Sequence, residues 1–326
     1  MIGQEVGGRY RVIEYLGRGS YGETWKAVDK NLPGYPYCVV KKLDPQSNQK
    51  YELNIAERLF IEEAETLQKL SKNEHIPQIL AFFQEEYQYY LVMEYIEGED
   101  LSLELNSGDR WDENQVIELL KQILHALEVI QKYKLIHRDI KPSNLMRRSQ
   151  DGKIILIDFG CVKIFNPSQR TVFIGTPGYI PDEQIKGYPQ LNSDIYAVGM
   201  IGIQALTGKL PSELTFNADH KIMWRNPEVK VSKDLAEILD KMVKYKYSER
   251  YSCATQALNA LKEVKSRIEP TLLPCYPTTV LKPSLLPNQL LVAGLMSVLL
   301  TFSYLFLESQ VTNQVEANGN HTCEFC

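Results

Sequence analysis

The stretch LIHRDIKPSNLM, residues 135–146, places an acid, Asp139, directly after Arg138, with Lys141 two positions on and Asn144 three beyond that. Apolar residues flank the run. A packed strand or helix does not choose that mixture for stability, because charged groups are buried only when paired. A second stretch, KIILIDFG at 153–160, reads as an apolar strand ending in Asp158, Phe159 and Gly160. A short β-hairpin between the two would bring Asp139, Lys141, Asn144 and Asp158 onto adjoining loops. Asn144 and Asp158 offer the oxygens that a hard cation such as Mg²⁺ binds alongside phosphate. Lys141 can neutralise charge on a moving phosphoryl group. Asp139 can orient an attacking hydroxyl and accept its proton. Phosphoryl transfer needs mainly positioning and charge stabilisation, and these groups supply both.

Three elements nearer the N-terminus could complete such a site. YRVIEYLGRGSYGETWKAVDK carries Gly17, Gly19 and Gly22 in a G-x-G-x-x-G spacing. A dinucleotide-binding turn with that spacing opens directly into a helix. Here ETWKAV follows, which alternates and reads as a second strand. Two strands joined by a glycine loop make a flap whose N–H groups can approach phosphates; the piece alone fits an ordinary Gly-rich hairpin equally well. YCVVKKL, 37–43, is a strand ending near Lys41, and a lysine there is solvated unless an acid meets it. ERLFIEEAETLQKL, 57–70, reads as a helix with Leu59, Phe60, Ala64, Leu67 and Leu70 on one face and Glu63 at that face's edge. YYLVMEYIEGED, 89–100, is a strand running into a turn at Gly98. WDENQVIELLKQILHALEVIQKY, 111–133, is a long helix with Asp112 as N-cap and a buried stripe of Val116, Leu119, Leu120, Ile123, Leu127 and Ile130.

Composition limits the alternatives. The chain has 326 residues and a formal net charge of −5, so no nucleic-acid partner is expected and phosphate must be met by local positive groups. The cysteines at 38, 161, 253, 275, 323 and 326 form no zinc-like pair of pairs, and the body is expected to be reduced and cytosolic. MIGQEVGGRYRV lacks an apolar leader segment.

The motifs together resemble the Hanks-type (eukaryotic-like) serine/threonine protein kinases, in phrases such as CVVKKLDPQ and GTPGY their cyanobacterial branch. The similarity covers about residues 9–268 in family order: the glycines at 17–22, VVK at 39–41, Glu63, HRDIKPSN at 137–144, DFG at 158–160, GTPGYIPDEQ at 175–184, SDIYAVGM at 193–200 and ERY at 249–251. It implies an α+β, two-lobed protein-kinase fold. A small antiparallel β-sheet lobe with one long helix (about 9–93) would sit beside a larger, mostly helical lobe (about 98–268). It implies ATP and Mg²⁺ (or Mn²⁺), and protein substrates phosphorylated on Ser or Thr. Lys41 would bind the α- and β-phosphates and pair with Glu63. Asp139 would be the base, Lys141 the γ-phosphate contact, and Asn144 and Asp158 the metal ligands. Gly17, Gly19 and Gly22 would cover the phosphates. Backbone atoms near Glu94 and Ile96 would meet the adenine, with Met93 as gatekeeper. Glu183 with Arg250, and Asp194, would be framework residues.

Lys141 followed by Pro142, and Thr176 in GTPGY, resemble serine/threonine rather than tyrosine kinases. Arg138 beside Asp139 suggests control by phosphorylation of the segment 161–181, with Thr171 and Thr176 as candidates and Ser168 behind them. The sequence departs from the family at Thr24 and Val39 around the adenine, and at Asp182, which stands where the family has Pro and is expected to loosen the segment's anchoring. A pseudokinase scaffold would lack Lys41, Asp139 or Asp158. A small-molecule phosphotransferase of related fold would lack the GTPGY segment. Glu97, Glu99 and Asp100 form an acidic cluster that could favour basic residues in a substrate, or simply face water. Cys161 is expected to be a buried, inert thiol.

The C-terminus is of another kind. Residues 269–289 form a proline-rich linker, with five prolines within 269–287. LLVAGLMSVLLTFSYLFL, 290–307, is uncharged and as a helix would span roughly 27 Å, close to the hydrocarbon core of a bilayer. The expectation is a single C-terminal transmembrane helix, the alternative being a buried core helix. Lys262, Lys265, Arg267 and Lys282 precede it, and the tail, 308–326, has no Lys or Arg. The body would face the cytoplasm and the tail the opposite side. Cys323 and Cys326 form a C-x-x-C and NHT a glycosylation sequon in that tail. Pairing of two copies for trans-autophosphorylation is compatible with a membrane kinase, although the run has no G-x-x-x-G.

Overall fold

The computed structural model describes residues 1–19, 22–45, 50–166, 170–171 and 174–264. The chain divides after Ser266 into two units. The second unit contains the linker, the apolar run 290–307 and the tail, all of which lie outside the described residues. Among the described residues no helix is long and apolar enough to cross a membrane.

The N-terminal part is an antiparallel sheet. Its strands are β1 (Glu5–Val6), β2 (Tyr10–Arg18), β3 (Gly22–Asp29), β4 (Tyr37–Leu43), β5 (Ile79–Glu85) and β6 (Gln88–Glu94), in the order β1-β2-β3-β4-β6-β5. The alternating side chains of β3 bury Trp25, Ala27 and Asp29, as a two-residue period requires of a half-covered strand. One face carries its own core of Tyr10, Val12, Trp25, Ala27, Cys38, Val40, Tyr90 and Val92.

The other face meets helix α1 (Lys50–Leu70). Ala56, Phe60, Glu63, Ala64, Leu67 and Leu70 are its buried side. Leu59, expected on that side, instead lines a groove of about 1030 Å³ between the helix and the segments around Leu135, Val162 and Thr171. The helix begins seven residues earlier than the periodicity shows, because residues 51–54 are exposed and in these first turns only Ala56 is buried, which leaves no stripe to read.

Beyond Glu94 come β7 (Gly98–Asp100) and the short α2 (Leu101–Leu105), capped by Asp100, whose carboxylate accepts from the Ser102 N–H at 2.8 Å. Helix α3 (Glu113–Lys132) opens with a capping box between Asp112 and Gln115, and its expected stripe is buried throughout. Strands β8 (Leu135–Ile136), β9 (Leu145–Arg148), β10 (Ile154–Leu156) and β11 (Lys163–Ile164) follow. The β9–β10 hairpin is the one needed to bring the two chemical stretches together. Pairing of β8 with β11 ties the approach to Asp139 to the exit from Gly160.

The remaining helices are α4 (Asp182–Ile185), α5 (Ser193–Thr207), α6 (Lys233–Met242) and α7 (Ala254–Glu263). All residues of α5 except Tyr196 are buried, as an apolar sequence without a polar face demands. It ends at Gly208, which adopts φ +66°, the left-handed conformation that terminates a helix most cheaply in glycine. A single apolar cluster runs from α1 through Phe159 to α3, α5, α6 and α7. The two-lobed α+β arrangement is therefore present, and α1 belongs by packing to the larger core as much as to the sheet.

Candidate active site

Lys41 lies in β4, paired across the sheet with Thr24 and Leu91. Its side chain points toward α1, where Nζ donates to both Glu63 oxygens at 2.8 Å. Asp158 Oδ1 stands 3.3 Å from the same nitrogen. Burial alone would lower the pKa of the Lys41 ammonium. The charges of Glu63 and Asp158 outweigh it, and the net shift is upward. The Asp158 carboxyl is held below its usual range, first by the charge of Lys41. Burial raises the Glu63 carboxyl while the charge of Lys41 pulls it back, so it is Lys41 and Asp158 whose charged forms the site favours. A side chain at Gly160 would bring its Cβ to 3.2 Å from Glu63 Oε2 and 3.5 Å from Lys41 Nζ, so glycine leaves that junction open.

Below it, Asp139 is bonded on every side. Thr176 Oγ1 donates to its Oδ1 at 2.8 Å, and Lys141 Nζ lies 2.9 Å from its Oδ2. Lys141 also donates to Thr176 Oγ1 at 3.0 Å. Asn144 Nδ2 donates to the Asp139 carbonyl at 2.8 Å and to its carboxylate at 3.1 Å. With its nitrogen so engaged, Asn144 presents its oxygen as the ligand atom. Two backbone angles aim the site: φ is +70° at Arg138 and +62° at Asp158. Such left-handed values in non-glycine residues persist only where the surroundings hold them.

Asp194 is one of the holders. Its Oδ2 and Oδ1 accept from the N–H groups of His137 and Arg138 at 2.8 and 2.9 Å. Burial pushes its carboxyl up to about 6 even though both N–H groups pull it down. His137 is fully buried, with its ring edge-on to Phe159 at 5.2 Å. Neither ring nitrogen has a hydrogen-bond partner, and burial pushes its pKa down to about 4.

The glycine flap is formed by β2 and β3, with Gly17 opposite Thr24. Gly22 is required sterically, since any Cβ would overlap the Lys42 carbonyl. Gly17 and Gly19 face open space, with only the Gly22 carbonyl 4.0 Å from a Cβ at Gly19. Room for a ligand to approach the backbone is thus provided there. Met93 pairs with Val39 and Glu94 with Cys38 at the end of β6, and Ile96 is buried just beyond. The expected adenine-facing residues therefore stand beside Val39.

Glu183 and Arg250 form the expected framework pair, bidentate at 2.6 and 3.0 Å. Asp182 pairs with Lys186 at 2.6 Å across one turn of α4. Asp100 likewise leaves the acidic cluster to cap α2, while Glu97 and Glu99 stay exposed. Cys161 is buried and its thiol is pushed up to about 12 by that burial, as expected of an inert group. Of the candidate phosphorylation sites, Thr171 lines the groove beside α1 together with Arg58, Arg138 and Lys163. Thr176 has its hydroxyl bonded to Asp139 and Lys141, and Ser168 lies outside the described residues. Gln184, which no motif role had singled out, turns out to donate to the carbonyls of Arg138 and Ile174.

The donor set suits a divalent cation shared with phosphate. Among the described residues no three His, Cys, Asp or Glu side chains gather into a closed metal site. Asn144 and Asp158 offer instead an open amide–carboxylate pair, the arrangement that Mg²⁺ takes with substrate phosphates.

The family model for the protein kinase domain matches residues 10–261. The chain belongs to the protein kinase family. Within it, this kinase domain is 40% identical over 268 residues to serine/threonine-protein kinase B of Synechocystis sp., covering 79% of this chain and 47% of that protein. It is 42% identical over 265 residues to serine/threonine-protein kinase C of the same organism, covering 78% and 49%. To serine/threonine-protein kinase PknA of Nostoc sp. it is 38% identical over 270 residues, covering 79% and 48%. The similarity places the kinase domain in the Hanks-type serine/threonine branch. The chain spans about half the length of these relatives.

Proposed function

We propose that the protein is a serine/threonine protein kinase that transfers the γ-phosphoryl group of ATP to protein hydroxyls. One observation carries this reading: Lys41, Glu63 and Asp158 form an ionic cluster open to solvent at Asp158, and Asp139 is already bonded to Lys141 and Thr176. A scaffold with no chemistry to perform has no need to hold so many charges together out of water.

The residues divide the work. Lys41, fixed by Glu63, meets the α- and β-phosphates. Asn144 and Asp158 hold Mg²⁺ or Mn²⁺, which when bound neutralises charge on the triphosphate. Asp139 orients the substrate hydroxyl and takes its proton, while Lys141 faces the γ-phosphate. The glycine flap covers the phosphates and the Glu94–Ile96 backbone receives the adenine.

The test is transfer of labelled γ-phosphate to generic protein substrates. Asp139→Asn and Lys41→Met are expected to abolish it in folded protein; label transfer by either variant at the parental rate overturns the reading.

Thr171 is the favoured autophosphorylation site. Lys163 has its pKa lowered by burial and by the charges of Arg138 and Arg58, which marks a locality suited to an anion. Peptide mapping after incubation with ATP should find phosphate at Thr171. An active enzyme without modification between 161 and 181 removes this part. Two copies acting on each other would make the phosphorylation rate rise with protein concentration. We further propose that residues 290–307 span the cell membrane with the kinase domain on the cytoplasmic side. Release of the full chain from membranes by alkaline carbonate would refute that.

A further inference from the structure

We infer that Gln184 is a positioning residue for Asp139, holding in one carboxamide the two backbone carbonyls that aim the base and its partner hydroxyl. The inference rests on the reading of Asp139 as the group that takes the hydroxyl proton.

Arg138 has φ +70°, so the peptide leading into Asp139 leaves the chain in a direction that must be enforced. Asp194 secures the N–H side of Arg138 at 2.9 Å. Gln184 secures the carbonyl side, with Nε2 donating to Arg138 O at 2.6 Å. That carbonyl lies in the same rigid plane as the N–H of Asp139, so holding one sets the other. The same nitrogen donates to Ile174 O at 2.8 Å. Ile174 stands two residues before Thr176, whose hydroxyl donates to Asp139 Oδ1 at 2.8 Å.

The contacts close a ring: Asp139 carboxylate, Thr176, Ile174 carbonyl, Gln184 amide, Arg138 carbonyl, and back to Asp139. A side-chain amide has two N–H donors, and here they match two carbonyls. Gly175 makes the ring possible. It adopts φ +131°, and a Cβ there would come within 2.8 Å of Gln184 Nε2 and 2.9 Å of Arg138 O. Gln184 is 3% exposed, so water has little access to replace a lost donor. Its neighbour Glu183 is tied to Arg250, which gives the amide a firm base.

Gln184→Met keeps the length and removes the donors. In the full chain with Mg-ATP and a generic protein substrate, kcat is expected to fall about 10- to 100-fold, the usual consequence of a misaimed group. ATP affinity should stay within about twofold, because the nucleotide contacts lie elsewhere. In a Thr176→Ala background the same substitution should cost no more than about threefold, since the ring is already open. A residue serving stability alone would show equal losses in both backgrounds.

Unchanged kcat, equal losses in the two backgrounds, or a parallel loss of ATP affinity would each overturn the inference. If the Met variant does not fold, Gln184→Asn, one methylene short of the carbonyls, is measured in the same way. Failure of both to fold makes Gln184 a stability residue and also overturns it. An inactive parent defeats the reading of Asp139; an active parent indifferent to Gln184 defeats this inference alone.

Discussion

Two buried ion pairs, Lys41–Glu63 in the upper part and Glu183–Arg250 in the lower, have nearly the same geometry and different surroundings. Both are bidentate, at 2.8 and 2.8 Å above and 2.6 and 3.0 Å below. The lower pair is complete. Arg250 also donates to the carbonyls of Lys244 and Tyr245, its guanidinium lies over Tyr196, and Ser193 donates to Glu183 at 2.8 Å. The upper pair has a second acid at its edge, Asp158, whose side chain is 41% exposed. The complete pair can only hold structure in place. The pair with surplus negative charge and an open side can exchange contacts with a ligand. Buried charge alone therefore does not mark an active site; incomplete satisfaction on a solvent-facing edge does.

The sharpest way to break this contrast is by substitution of the base and the upper lysine. Asp139→Asn is expected to reduce phosphoryl transfer by about 10²- to 10⁴-fold with little change in melting temperature. Lys41→Met should behave alike in transfer assays, and because it leaves Glu63 with a side chain only 2% exposed it should cost stability as well. Arg250→Met should cost stability without touching transfer. It strands Glu183 away from water and is expected to cost about 3–5 kcal/mol in urea unfolding, while the folded fraction keeps its transfer rate. A loss of transfer in folded Arg250→Met protein as large as that of Lys41→Met would erase the distinction.

A further prediction concerns buried groups that form no salt bridge. His137 is pushed down from 6.5 to about 4. Between those pH values the unfolded chain binds a proton that the folded one refuses, so this group makes stability fall as pH falls. Asp194 is pushed up from 3.8 to about 6, and between those values the folded protein takes its proton first. This second group makes stability rise as pH falls. The two slopes oppose each other between about pH 4 and 6. His137→Phe should leave only the second, so that its stability relative to the parent rises by on the order of 3 kcal/mol from pH 6.5 to 4. Denaturant titrations at several pH values would show it, and parallel pH curves for parent and variant would refute it.

The smallest effect is expected at Asp182. Its partner Lys186 is largely exposed, so Asp182→Ala should cost less than about 1 kcal/mol and lose even that in high salt. A loss comparable to that of Arg250→Met would make Asp182–Lys186 a second framework pair.

The catalytic loops were the most legible part of the sequence. Asp139, Asn144 and Asp158 lie within or beside short runs whose charges make no sense as packing, and one hairpin joins them. The stripe of α3 and its Asp112 cap were equally plain, because period and cap are local properties. The first two turns of α1 were not, since the apolar residues of KYELNIA are mostly exposed and only Ala56 reaches the core. Leu59 had the right spacing for the core and lies outside it, because the larger cluster reaches only one edge of that helix.

By itself the sequence determined the set of reacting groups, their order and the elements that carry them, since side-chain chemistry and short-range periodicity are written residue by residue. Only the tertiary structure decided which of those groups are satisfied and which remain open, and that an amide at Gln184 reaches the peptide before Asp139. The reason is physical: hydrogen bonds to backbone carbonyls depend on distance and angle, and every residue offers the same carbonyl, so no residue type announces which one will be met.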